Sequence, residues 1–140
     1  ELLSYLLPSK TKAVTITERG KDEEIKYTNG NPKLLNVPLV VLVNESSASA
    51  SEIVAGAIQD YKRGIIMGTK TYGKGTVQEV EFFSDDSSLR MTIAKWFTPN
   101  NRNVDKNGLD PDIVVEAQKE DYDKKYDRQK EEARKYLEGL

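Results

Sequence analysis

The sequence predicts an α/β domain built in layers, and three observations carry that reading. Residues 37–44 form a continuous rather than alternating apolar run, as expected for a central strand covered on both faces. After it, Ile53, Ala57, Ile58 and Tyr61 recur at helical spacing. Farther on, residues 80–83 and 89–97 read as an antiparallel pair around the polar stretch 84–88. Strand, helix and further strands in that order require sheet and helix layers around one core.

Each element has a local reason. The opening run from Glu1 to Leu7 reads as a helix that ends at Pro8, and residues 13–17 alternate and are β-branched, as in a strand. Gly20 marks a turn, residues 25–27 a short returning strand, and Asn29-Gly30-Asn31-Pro32 a breaker. The main helix is expected over residues 50–62, stopping at Lys62-Arg63-Gly64, with Gly56 permitting close approach of a neighbouring element. Residues 65–67 read as a second short buried strand, 69–78 as a loop with one lysine between two glycines, and 113–115 as a last strand after a turn at 107–112. From Ala117 the composition shifts to seven basic and seven acidic residues, and the segment reads as one charged helix. Tyr122, Tyr126, Ala133, Leu137 and Leu140 make a modest apolar stripe along it, expected to dock on the core or on a partner.

Composition narrows the chemistry. The 140 residues suit one domain or a piece of one, and the formal net charge of −2, from 21 basic and 23 acidic residues, supplies no field that favours nucleic acid or an anionic membrane. Neither cysteine nor histidine is present, so a Ser-His-Asp triad, a thiolate nucleophile and a conventional zinc site cannot be built from this chain. No stretch reaches the eighteen or so apolar residues of a membrane-spanning helix. The first residue is Glu and the chain opens inside a helix, so a piece of a longer protein is expected.

Without histidine or cysteine, covalent hydrolysis needs a hydroxyl nucleophile and another base, for which lysine is the candidate. Lysine acts as a base only when neutral, and burial favours that form. Most of the basic residues lie in charged surroundings, whereas Lys74 is flanked by Gly73 and Gly75, near Tyr72 and Val77. Ser49 follows the end of the apolar strand and precedes the helix, where the Ala50 amide would help hold an oxyanion. Two plainer readings stand beside these: Ser49 or Ser51 as an N-cap with Glu52 in the first turn, and Gly-Lys-Gly as an ordinary turn.

The run from Leu42 to Ile53, with Gly56, Ala57 and Asp60, followed by Gly68 to Gln78, resembles the catalytic core of the carboxyl-terminal processing peptidases, or tail-specific proteases, of the S41 serine peptidase family. Thr98-Pro99 and residues 107–113 are similar to the segment that ends that core, so the resemblance covers residues 1–116 and leaves 117–140 as a charged C-terminal helix. It implies a layered α/β fold of the ClpP/crotonase type, here partial. It also implies a Ser-Lys dyad in which Ser49 is the nucleophile, Lys74 the general base and Gln78 the residue that orients the lysine. Asp60, Gly73 and Gly75 match structural positions near the site.

The same resemblance implies hydrolysis of protein substrates near their C-termini, no metal or organic cofactor, and an extracytoplasmic bacterial setting. The family's Asn-Pro-Gly-Gly block, a second oxyanion donor, and its PDZ domain are expected to lie before Glu1. The 140-residue chain alone is therefore expected to be weakly active or inactive, and to associate through its C-terminal helix or an exposed sheet edge. A noncatalytic peptide-binding or scaffolding module is the alternative. A phosphate-binding loop would need a helix after Gly75, where residues 77–83 read as strand, and a β-lactamase pattern would need serine and lysine three apart.

Overall fold

The computed structural model describes the backbone of all 140 residues and every side chain except that of Tyr122, so this part of the expected C-terminal stripe lies outside the described residues. In chain order the elements are α1 (Leu3–Leu6), β1 (Lys12–Glu18), β2 (Glu24–Tyr27), β3 (Val40–Val43), α2 (Ala50–Asp60), β4 (Ile65–Gly68), β5 (Thr76–Phe82), β6 (Ser88–Phe97), β7 (Ile113–Val114), α3 (Lys119–Asp123) and α4 (Arg128–Glu138).

Two sheets flank the main helix. One has the order β2-β1-β6-β5 and the other β3-β4-β7. The first is antiparallel throughout and the second parallel. Parallel pairing of β3 with β4 requires a crossover, and α2 is that crossover. It packs on β1 from one sheet and β4 from the other. Ala55, Ala57 and Ile58 of α2 are fully buried, and Ile66, Trp96, Val104 and Leu109 close the core around them. Gly56 is needed there: a Cβ would lie 2.7 Å from Thr98 Cγ2, so the expected close approach is made by the residue after β6.

Three expectations are corrected. The apolar run is an edge strand and not a central one: β3 pairs only with β4, and Leu42 is 40% exposed. In that sheet the strand paired on both sides is β4, where Ile66 and Met67 are buried. A continuous apolar run reports hydrophobic faces but not the number of neighbours along the hydrogen-bonding direction. Second, β5 begins at Thr76, ahead of the expected start, because Thr76 and Val77 pair with Lys95 and Ala94 before an irregularity at Val77 and Gln78.

Third, the charged tail is two helices. Asp121 caps its own turn by accepting from the Gln118 amide at 2.7 Å and binds Arg128 through both oxygens, while Asp127 caps α4 by accepting from the Lys130 amide at 3.0 Å. These acids favour a stop and restart over one continuous helix. Of the described residues of the expected stripe, Ala133 alone is buried, whereas Tyr126, Leu137 and Leu140 are exposed.

Candidate active site

The turn between β3 and α2 is built by its own polar groups. Asn44 accepts from the Ser46 amide through Oδ1 at 3.0 Å and from the Ser47 amide through its carbonyl at 2.9 Å, and its N–H donates to Ser47 Oγ at 3.1 Å. Ser46 and Ser47 thus shape the turn. Ser49 is the N-cap of α2 and has φ 54° and ψ −112°, a conformation L-residues rarely adopt. Such backbone costs about 1–3 kcal/mol and persists only where surrounding contacts impose it. The Ala50 N–H, first in the helix, has no hydrogen-bond partner among the described residues.

The imposing contact is Glu52. Fully buried in the first turn of α2, its carboxylate accepts four hydrogen bonds. Oε2 receives the Ser49 and Lys74 amides, each at 2.9 Å, and Oε1 receives the Thr71 hydroxyl at 2.6 Å and the Gly73 amide at 2.8 Å. A buried carboxylate is tolerated only with its acceptor sites filled, so the serine turn and the lysine loop must meet on it. Sequence reading placed Glu52 only as a helix-start residue. The Ser-x-x-Glu spacing signals the bond to Ser49; nothing local signals the three from residues 71–74.

The lysine loop is also held from its other side. Trp96, 2% exposed, donates its indole N–H to the Lys74 carbonyl at 2.9 Å, and its amide donates to the Gly75 carbonyl at 3.0 Å. The Lys106 amide donates to the Gly73 carbonyl at 2.8 Å, and the Tyr72 amide to the Ser47 carbonyl at 3.0 Å. Both glycines are compressed against that neighbouring chain. Gly73 has φ 89° and a Cβ would sit 2.7 Å from the Gly108 amide nitrogen; at Gly75 it would sit 2.5 Å from that of Asp105. Only glycine leaves room there for the backbone that carries Lys74.

Lys74 and Gln78 open onto one groove of about 800 Å³, whose wall includes Ala48, the residue before Ser49. Ala50, the residue after Ser49, borders a smaller cavity of about 240 Å³ lined by Leu3, Val14, Tyr27, Ile53 and Val54 among others. Ser49 itself lines neither; only its chain neighbours do, Ala48 in the groove and Ala50 in the cavity. A further cavity of about 770 Å³ adjoins the groove at Glu45 and reaches Arg128 on α4, without the serine turn's nucleophile candidate.

Of the residues singled out in the sequence, Ser49, Gly73 and Lys74 meet through their backbone amides on Glu52 in the first turn of α2, with Ala50 and Gly75 adjacent in the chain, while Gln78 shares the groove with Lys74. Asp60 is at the opposite end, about 15 Å along the axis from Ala50. There it binds Arg102 and accepts from the Asn100 amide at 2.8 Å, with its side chain 2% exposed. Among the described residues, no group of three or more acidic side chains is placed to hold a metal ion, and no helix is long and apolar enough to cross a membrane.

Comparison with known proteins agrees with this architecture. Residues 1–115 match the model of peptidase family S41. The carboxyl-terminal-processing protease of Synechocystis sp. is 43% identical over 110 residues, 79% of this chain and 25% of that protein. The probable CtpA-like serine protease of Staphylococcus aureus is 39% identical over 119 residues, 84% of this chain and 24% of its own length. The chain thus spans about a quarter of the curated relatives it matches. Among solved structures, the photosystem II D1 C-terminal processing protease superposes with a TM-score of 0.71 at 38% identity, over 81% of this chain and 30% of that one. The tricorn protease, 18% identical with a TM-score of 0.62 over 99% of this chain and 13% of its own, shares the fold. Motifs, α/β fold and family match converge on one conclusion: the chain belongs to peptidase family S41.

Proposed function

We propose that this chain carries the nucleophile and the base of a serine endopeptidase that cuts protein substrates near their C-termini. The observation that carries the reading is the shared carboxylate: the amides of Ser49 and Lys74 both end on Glu52 Oε2, so two residues 25 apart in sequence are held on one atom. The groove common to Lys74 and Gln78 supports it.

In the proposed reaction neutral Lys74 takes the proton from Ser49 Oγ as that oxygen attacks a peptide carbonyl. The Ala50 N–H donates to the oxyanion. Collapse breaks the C–N bond, the lysine ammonium returns the proton to the leaving nitrogen, and an ester to Ser49 remains. Water, deprotonated by the same amine, then attacks the ester and releases the acid. Gln78 accepts a hydrogen bond from the amine through its side-chain oxygen and keeps it aimed.

With Ala50 as the sole donor considered, the oxyanion site is half built, and losing one donor costs about 3–4 kcal/mol of transition-state stabilisation. The 140 residues alone are therefore proposed to be weakly active or inactive, with the second donor and a PDZ domain supplied by the rest of the complete protein. The free edge of β3 is where we place its contact with that remainder or with a second copy. An extracytoplasmic location follows from likeness to the bacterial processing proteases and is checked by cell fractionation.

The test is cleavage of an apolar-tailed protein by the complete protein, with Ser49→Ala and Lys74→Ala variants. Each is expected to lose activity by roughly 10⁴-fold or more. Undiminished cleavage by either variant rejects the dyad, and a folded but inert wild-type protein favours the noncatalytic peptide-binding module.

A further inference from the structure

The outer half of the β5–β6 hairpin extends beyond the core. Register places Gln78 opposite Thr92, Val80 opposite Arg90 and Phe82 opposite Ser88 on one face, and Glu79 opposite Met91 and Glu81 opposite Leu89 on the other. Each charged side chain of this pair of strands thus faces an uncharged partner. Both glutamates are turned to the face that Arg90 does not share. Arg90 forms no ion pair among the described residues, yet it lines the same groove as Lys74 and Gln78. It is exposed, and beside it on that face stand Val80 and Phe82, the latter 77% exposed.

An unpaired guanidinium flanked by apolar side chains is suited to a carboxylate carried by an apolar peptide. Arg90 lies one same-face step beyond the Gln78–Thr92 pair, about 7 Å along the strand. Resting on the peptidase reading of this groove, we infer that Arg90 receives a substrate carboxylate about two residues away from the part of an extended peptide that meets Gln78. Two sources share that chemistry: the free C-terminus and an Asp or Glu side chain. The groove's own carboxylates, Glu45 and Asp105, are not within ion-pairing distance of Arg90 and leave it available.

Binding without turnover tests this apart from the chemistry. Fluorescein-labelled apolar peptides, ending either as free acid or as amide and carrying either Glu or Gln near the end, are titrated by anisotropy into the complete protein bearing Ser49→Ala. A carboxylate-bearing peptide is expected to bind about fivefold more tightly than its neutral counterpart, the scale of an exposed ion pair. Preference for the acid end identifies the C-terminus as source, and preference for Glu identifies the side chain. Adding Arg90→Gln should erase the preference, and Arg90→Glu should reverse it toward a Lys-bearing peptide. A preference that survives Arg90→Gln, equal binding of all four peptides, or no binding of any overturns the assignment. Cleavage by the Ser49 protein is read separately: carboxylate-selective binding with no cleavage rejects the peptidase reading and leaves the Arg90 site standing.

Discussion

Ser49 and Lys74 are joined through a single atom: their backbone amides both donate to Glu52 Oε2 at 2.9 Å. The other oxygen of that carboxylate takes the Thr71 hydroxyl and the Gly73 amide. Glu52→Gln would put an NH2 group opposite one of these two pairs of donors, whichever way the amide is turned. The expected result is a folded protein with kcat lowered by about 100-fold, the scale of a displacement near 1 Å between reacting groups. Glu52→Ala leaves four donors unmet in the core and should cost about 3–5 kcal/mol, read by urea denaturation.

Trp96 holds the lysine loop from the opposite side. Trp96→Phe keeps most of the ring and removes the N–H that reaches the Lys74 carbonyl. It should lower stability by about 1–2 kcal/mol and lower kcat more than it raises KM, with a change in the pH–rate profile. An unchanged profile with unchanged kcat would assign Trp96 to core filling alone.

The glycines around Lys74 make a sterically defined contrast. Gly73→Ala and Gly75→Ala each force a Cβ against backbone nitrogen, whereas Gly20→Ala meets nothing within 4 Å and carries only the strain of φ +78°. The first two should destabilise by more than about 2 kcal/mol and abolish activity, and Gly20→Ala by about 1 kcal/mol with activity retained. Thermal melts and kcat/KM measured on the three variants separate the effects.

Asp60 marks the limit of what motif proximity conveys. Its contacts to Arg102 and the Asn100 amide tie the end of α2 to the chain after β6, far from Ser49. Asp60→Ala should cost about 1–2 kcal/mol by leaving the Asn100 amide without its acceptor and Arg102 with Gln59 alone, while the kcat of the folded fraction stays at the wild-type value. A selective fall in kcat would restore it to the active site.

Asp121 predicts an acid response of the tail. The hydrogen bond from Arg128 holds its carboxyl below the ordinary carboxylate range, helped by the Gln118 amide. A group with a depressed folded value stabilises the fold above its unfolded value, near 4, and loses that contribution as pH falls through the folded value. Hydrogen exchange in α3 and α4 should therefore accelerate below about pH 4 while the core helix α2 stays protected. Asp121→Asn should remove that pH step.

The order of the elements was legible because apolar spacing and breakers are local: the α2 helix, the β4 strand and the hairpin each follow from residues within their own span. Among Ser46, Ser47, Ser49 and Ser51, Ser49 is the proposed nucleophile because the resemblance to the S41 core, read together with Lys74 downstream, matches that position. Three things were not legible. That Leu42 sits on an edge strand depends on which strands pair, not on hydrophobicity. That the tail breaks before α4 depends on the Asp121–Arg128 pair competing with helix continuation. That Glu52 collects the lysine loop depends on contacts made 19 to 22 residues away, which no window around a capping box contains.

Trp96 is the only tryptophan in the chain, and its indole nitrogen rests on the carbonyl of the residue proposed as the base. The protein thus carries a built-in optical label at its lysine loop. Burial of the indole should blue-shift its emission while that loop is seated, and the change can be followed in stopped flow as peptide arrives, with no dye, tag or substitution in the site.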